Sequence, residues 1–182
     1  MPDMNPLIAC CGLDGEKYGN RIGIAEVKAL AKKCLDTGTM MAMVDRIHDD
    51  DPHVARDAAW VMSHFTAEQV ALLQPRMDEF IDVVLQTDNV ALRRLLLNIV
   101  ERLTTDEENL RSDFLDFCLA HMAAPDEPPG VQTLCMKLAY RQCCFYPELL
   151  NEFRLALTLM PPDGYAVSVK GLRRKMLRRL DE

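Results

Sequence analysis

Residues 51–66, DPHVARDAAWVMSHFT, gather two histidines, two aspartates and the only tryptophan within sixteen positions. Imidazole and carboxylate are the groups that metal ions and general acid–base chemistry use. Helical spacing decides whether this set can act together. Ala55, Ala58, Ala59, Met62 and Phe65 share one face of a helix. His53, Asp57, Trp60 and His64 form a ridge on the opposite face, the expected solvent side. Eleven residues at ~1.5 Å rise set the two histidines roughly 16 Å apart, too far to share one ion. His53 with Asp57 could supply two ligands, and Asp49 or Asp50 a third, but the spacing matches no specific metal site. No nucleophile accompanies the Asp–His pair. The expectation is no catalytic residue, no metal and no cofactor.

The element that positions this stretch belongs to a repeat. Met40, Met43, Val44 and Ile47 follow the i, i+3, i+4, i+7 spacing of one helical face. The stripe returns 37 residues later as Met77, Phe80, Ile81, Val84, and 37 later again as Phe114, Phe117, Cys118, His121. A step of 39 gives Phe153, Ala156, Leu157, Met160. A second stripe interleaves with the first. Ala55, Ala58, Ala59, Met62 recurs as Leu92, Leu95, Leu96, Ile99, then as Val131, Leu134, Cys135, Leu138, and finally as Val169, Leu172, Arg173, Met176. The unit is thus a helix pair, A then B, and such pairs bury their faces only by stacking.

Start signals keep the same phase. Asp51 and Asp88 suit N-caps, Pro52 and Pro128 suit first helical positions, and Thr66–Gln69 and Thr105–Glu108 have capping-box spacing. Pro75 predicts a kink or a late start in the first B helix. The expected architecture is all-α, a right-handed α-solenoid in one domain over 1–182. Its repeats are expected at about 22–49, 51–86, 88–122 and 127–160, with a capping helix at 164–182.

Composition agrees with a globular chain: 49% apolar, 27% charged and a net charge of −7, which argues against general nucleic-acid affinity. Seven cysteines include adjacent pairs at Cys10–Cys11 and Cys143–Cys144 and no CxxC, so small buried thiols in a cytoplasmic protein are the natural reading. No apolar run reaches the ~20 residues of a spanning helix, and the amino terminus lacks a leader pattern.

The opening Asp51-Pro52-x-Val54 with Arg56 and Ala59 resembles the HEAT and armadillo families. Arg56 falls one place later than that consensus usually has it, and later units keep only the apolar pattern. The resemblance implies a protein-binding scaffold whose B helices line the concave side. Outward B positions read Ala42 and Asp45, Glu79 and Asp82, Asp116 and Leu119, Leu155 and Thr158, with Asp49 and Gln86 extending the row. Such a row is either an ordinary solvated face or an acidic groove for a basic or amphipathic peptide. Asp45, Glu79, Asp82 and Asp116 are its candidate contacts. Trp60 has repeat equivalents in Leu97 and Met136, a row that either packs between repeats or forms an apolar ridge for a partner.

Helix 164–182 carries net charge +4, leaving −11 elsewhere. It reads foremost as a terminal cap with a polar outer face, although a basic amphipathic helix can also bind nucleic acid or an anionic membrane. His121, on a B stripe, is expected as a satisfied core histidine. HEAT-like folds also include alkylpurine DNA glycosylases, for which Asp57 and Trp60 could be offered as acid and stacking residue. An acidic row and scarce aromatics disfavour that alternative.

Overall fold

The computed structural model describes residues 22–34, 36–108, 110–161 and 163–182. Cys10 and Cys11 lie outside them. Ten α-helices and two 3₁₀ turns occur among the described residues, with no strand. The helices are α1 (Ile24–Lys33), α2 (Thr37–Asp45), α3 (Pro52–Met62), α4 (Ala67–Ala71), α5 (Met77–Gln86), α6 (Val90–Arg102), α7 (Ser112–Ala123), α8 (Pro129–Cys143), α9 (Pro147–Leu159) and α10 (Val167–Asp181). Contacts divide the chain into two compact units, Met1–Leu103 and Thr104–Glu182.

In the first unit, α3 packs against α1, α2 and α6, and α6 packs in turn on α5. Asp51 caps α3 by accepting from the His53 N–H at 2.8 Å, with Pro52 in the first turn. Thr66 and Gln69 close a reciprocal capping box on α4. Pro75 has no N–H to extend that helix, so the chain breaks through a 3₁₀ turn at Gln74–Arg76 before α5 begins. Asn89, rather than Asp88, caps α6, because its carboxamide oxygen reaches the N–H groups of both Ala91 and Leu92 at 3.1 Å.

In the second unit, α8 touches α7, α9 and α10. The expected capping box at Thr105–Glu108 does not start a helix; α7 begins at Ser112. Residues 104–109 contain no apolar side chain, so a helix there would bury nothing against the core. Pro128 is one place early, acting as N-cap with Pro129 at the first helical position.

Both stripes face inward. Met40, Met43, Val44 and Ile47, then Met77, Phe80, Ile81 and Val84, are buried, as are Ala55, Ala58, Ala59 and Met62 and their counterparts in α6 and α8. Three helices depart from the pattern, α9 only in leaving Ala156 partly exposed. α7 is rotated so that Phe114, Leu115, Cys118 and Met122 bury, leaving Phe117 and His121 partly exposed. α10 buries Val169 and Met176, while Leu172 and Arg173 are partly exposed.

Open helix C-termini are closed by long side chains from neighbouring elements, which satisfies carbonyls that have no partner within their own helix. Gln69 donates to Ala31 O and Cys34 O at 3.1 and 2.6 Å. Arg102 donates to Ser63 O and Phe65 O at 3.2 and 2.5 Å. Gln132 and Tyr165 reach Ala124 O and Ala123 O, each at 2.6 Å. Arg173 donates to Leu157 O at 2.6 Å, which explains a basic residue on an apolar stripe.

Candidate functional site

The histidine-rich stretch does not converge on a site. His53 is exposed at the start of α3, and His64 folds back so that its Nδ1 lies 3.0 Å from Trp60 O. Asp57 is a correction to the expected solvent ridge. It is only 2% exposed, and Arg56 donates to its Oδ1 from two nitrogens at 2.9 and 2.6 Å. The ridge is not free because α3 is flanked by α1, α2 and α6. Among the described residues no group of three or more His, Cys, Asp or Glu could hold a metal ion. Asp57, offered as the acid of a glycosylase-like centre, is thus an ion-paired, buried carboxylate, while Trp60 is partly exposed.

Crowding on several sides also removes two candidate contacts. Leu97 and Met136 are each 0% exposed, so their side chains cannot meet a partner; they are packing residues. Trp60 alone of that row reaches the surface.

The acidic B positions differ between the units. In the first, the 3₁₀ turns place cations among the carboxylates. Arg76 donates to Asp45 Oδ1 at 2.9 Å and to Glu79 Oε1 at 2.8 Å, and its Nε also bonds Glu79 Oε2. His48 Nε2 lies 2.7 Å from the same Glu79 carboxylate. The Arg76 guanidinium, with a smaller contribution from His48, holds the Glu79 carboxyl below its ordinary value. Asp49 pairs with Arg46 at 3.1 Å, and Asp82 is exposed on α5. Sequence spacing missed Arg76 and His48 because both lie in turns outside the helical stripes. The readable signal was Pro75, which interrupts the B helix and sets Arg76 at the new start.

In the second unit Asp116 is exposed on α7 and makes no hydrogen bond or ion pair among the described residues. Beside it lies a cavity of about 320 Å³, walled by Leu110, Leu115, Leu149, Tyr146 and Gln142. Gln142 is 4% exposed, and its Nε2 has no hydrogen-bond partner. Its position extends the A stripe of α8 one turn past Leu138, where the preceding repeat has Leu103; a polar residue on an apolar stripe was the visible sign. Leu155 continues the outward row at 58% exposure, with Leu159 next to it at 72%. His121 is satisfied but not in the core: it stacks on Phe117 with centroids 3.9 Å apart, and Nδ1 is 2.6 Å from Glu127.

The basic face of α10 is partly engaged within its own unit. Arg179 lies over the Tyr140 ring at 5.2 Å, and Asp181 pairs with Arg154, while Arg174, Lys175 and Arg178 are exposed.

Paired helices whose apolar stripes return every 37 to 39 residues, with no strand among the described residues, define an all-α helical-repeat protein of the α-solenoid class. The HEAT repeat domain model matches residues 16–180, and the chain belongs to that family. No curated protein and no solved structure matches it. HEAT repeats are generally protein-interaction scaffolds rather than enzymes. No helix of the described residues is long and apolar enough to cross a membrane.

Proposed function

We propose that this chain is a non-enzymatic protein-binding scaffold that holds a basic or amphipathic segment of a partner against the carboxylates of its B helices. The observation that carries the reading is Asp116. Its repeat counterparts across the B row are either paired within the protein or exposed on α5, whereas Asp116 stands exposed, unpaired and next to an apolar cavity. Carboxylates beside apolar surface favour cationic amphipathic segments, and they steer encounter more than they add affinity. Leu155 and Leu159 on α9 expose apolar surface of the kind an amphipathic helix covers. A cytoplasmic location and reduced thiols complete the reading.

Fluorescence anisotropy with labelled basic, neutral and acidic amphipathic peptides of equal length tests it. The basic peptide should bind with an affinity that falls as salt rises. Reversing charge at Asp116 should weaken it without lowering thermal stability, since that side chain is exposed and makes no hydrogen bond or ion pair among the described residues. Equal binding of all three peptides, or an unchanged affinity in the charge-reversed variant, overturns the acidic-face reading.

A further inference from the structure

Gln142 is anomalous on energetic grounds. A buried amide donor with no partner is costly, and native proteins tolerate few of them. Its register takes an aliphatic residue in the preceding repeat, Leu103, which is 2% exposed. A side chain of similar volume without the amide would fill the place at less cost, so the amide marks a function rather than packing.

The surroundings define what would satisfy it. Gln142 lines the cavity at the ends of α7, α8 and α9, together with Leu110, Leu115 and Leu149. About 320 Å³ is at the small end of ligand pockets, room for one large side chain and its adjoining peptide group. Charge at the mouth is negative. The Arg111 guanidinium is committed to Asp113, with bonds of 3.1 and 2.6 Å, so it offers no spare cation. The Tyr146 hydroxyl is hydrogen-bonded to Glu107, and Asp116 on the rim is unpaired.

We propose that this cavity is the anchor site for the partner peptide, taking one aliphatic residue followed by a lysine or arginine, with a peptide carbonyl accepting from Gln142 Nε2 and the cation meeting Asp116. The proposal rests on the protein-binding reading above and names its first contact. The aliphatic side chain lies between the three leucines, where water gains little from remaining. The carbonyl supplies the missing acceptor, and the amide's own oxygen can take a neighbouring peptide N–H. The cation completes the mouth, where its stem runs along apolar surface and its head stays hydrated. Asp116 therefore selects charge, while Gln142 selects a backbone rather than a hydrocarbon.

The test is an NMR titration of the full chain, labelled with ¹⁵N and methyl ¹³C, with the capped tripeptides acetyl-Ala-Leu-Lys-amide and acetyl-Ala-Leu-Glu-amide. Ligands of this size bind on the order of millimolar. The lysine peptide should shift the Gln142 side-chain NH₂ pair and the Leu115 and Leu149 methyl signals, and the glutamate peptide should bind several-fold more weakly. Gln142→Met should lose roughly tenfold in affinity for the lysine peptide while keeping or raising Tm, since it removes the unsatisfied donor. If Gln142→Met does not fold, Asp116→Asn, at an exposed position, carries the test by abolishing the preference for lysine over glutamate. Unmoved Gln142 and leucine signals at saturating peptide mean the cavity holds water only, and the anchor site is overturned. If long basic peptides still bind and shift only other acidic B-helix signals, the anchor fails while the scaffold reading stands. If no basic peptide binds anywhere, both fail.

Discussion

Gln69 joins two helices with one side chain, which makes its replacement a quantitative test of how the first unit is held. Its Oε1 accepts from the Thr66 N–H at 2.8 Å, and its Nε2 donates to Ala31 O and Cys34 O at the end of α1. α4 has five residues and cannot persist on propensity alone, so this linkage fixes both its start and its place. Gln69→Leu deletes all three bonds. At about 1 kcal/mol net each, the loss is roughly 3 kcal/mol. Gln69→Glu keeps the acceptor that closes the capping box but turns the donor into a second acceptor that repels the two carbonyls it faces, so it loses at least the roughly 2 kcal/mol of the missing bonds. Lys28 and Lys32 border the same hollow, and an ion pair with the new carboxylate can offset part of that loss at low salt. Both variants should therefore be less stable than wild type, and the glutamate variant alone should lose further ground in high salt. Urea unfolding followed by circular dichroism gives the free energies, and amide exchange gives the location: protection should fall in the last turn of α1 and at Thr66. A Gln69→Leu loss below about 1 kcal/mol, or unchanged exchange in α1, refutes the linkage.

Three further outcomes follow from the same geometry. Leu97→Ala and Met136→Ala should each cost about 2–5 kcal/mol in chemical denaturation, because both are fully buried, and should leave peptide affinity per folded molecule unchanged. Arg76→Met should cost no more than about 1 kcal/mol of stability, since its pairs are partly exposed, and should strengthen binding of a basic peptide by releasing Asp45 and Glu79, as read by anisotropy. Glu79 has a lowered carboxyl pKa in the folded state, so its ion pairs stabilise fully above its ordinary value of 4.5, and that contribution disappears as pH falls below it through the folded value. The stability difference between wild type and Glu79→Gln, measured by urea unfolding, should shrink towards zero in that acid window; a difference that persists there contradicts the assignment.

The buried face of nearly every helix was legible because the 3.6-residue spacing of Met, Leu, Val and Ala is dictated by burial itself. The outer face was not. A helical wheel treats whatever is opposite the stripe as solvent, yet α3 has neighbours on three flanks, and Asp57 disappears among them. Leu97 and Met136 are buried in the same row. Helix starts were legible where a cap adjoins apolar sequence, as at Asp51 and Thr66, and failed at Thr105, where six residues without an apolar side chain follow Leu103. The electrostatics of the candidate acidic row were not legible, because Arg76 and His48, which pair with Asp45 and Glu79, come from turns whose position no periodicity reports. The unsatisfied amide of Gln142 depends on what its neighbours fail to offer, and that is a three-dimensional property.

The core is unusually rich in sulfur. Among the described residues eight methionines and four cysteines are buried, of eleven and seven in the sequence. While the helices stay packed, thioethers and thiols are shielded, and their soft, unbranched shapes let neighbouring helices shift without opening voids. Each local opening exposes them to oxidant, and a methionine converted to sulfoxide returns as a polar group that no longer fits the space it left. Oxidation would thus keep a chemical record of how often each unit opens. Peptide mapping of sulfoxide at Met62 and Met136 after mild peroxide exposure reads the breathing of the two units separately.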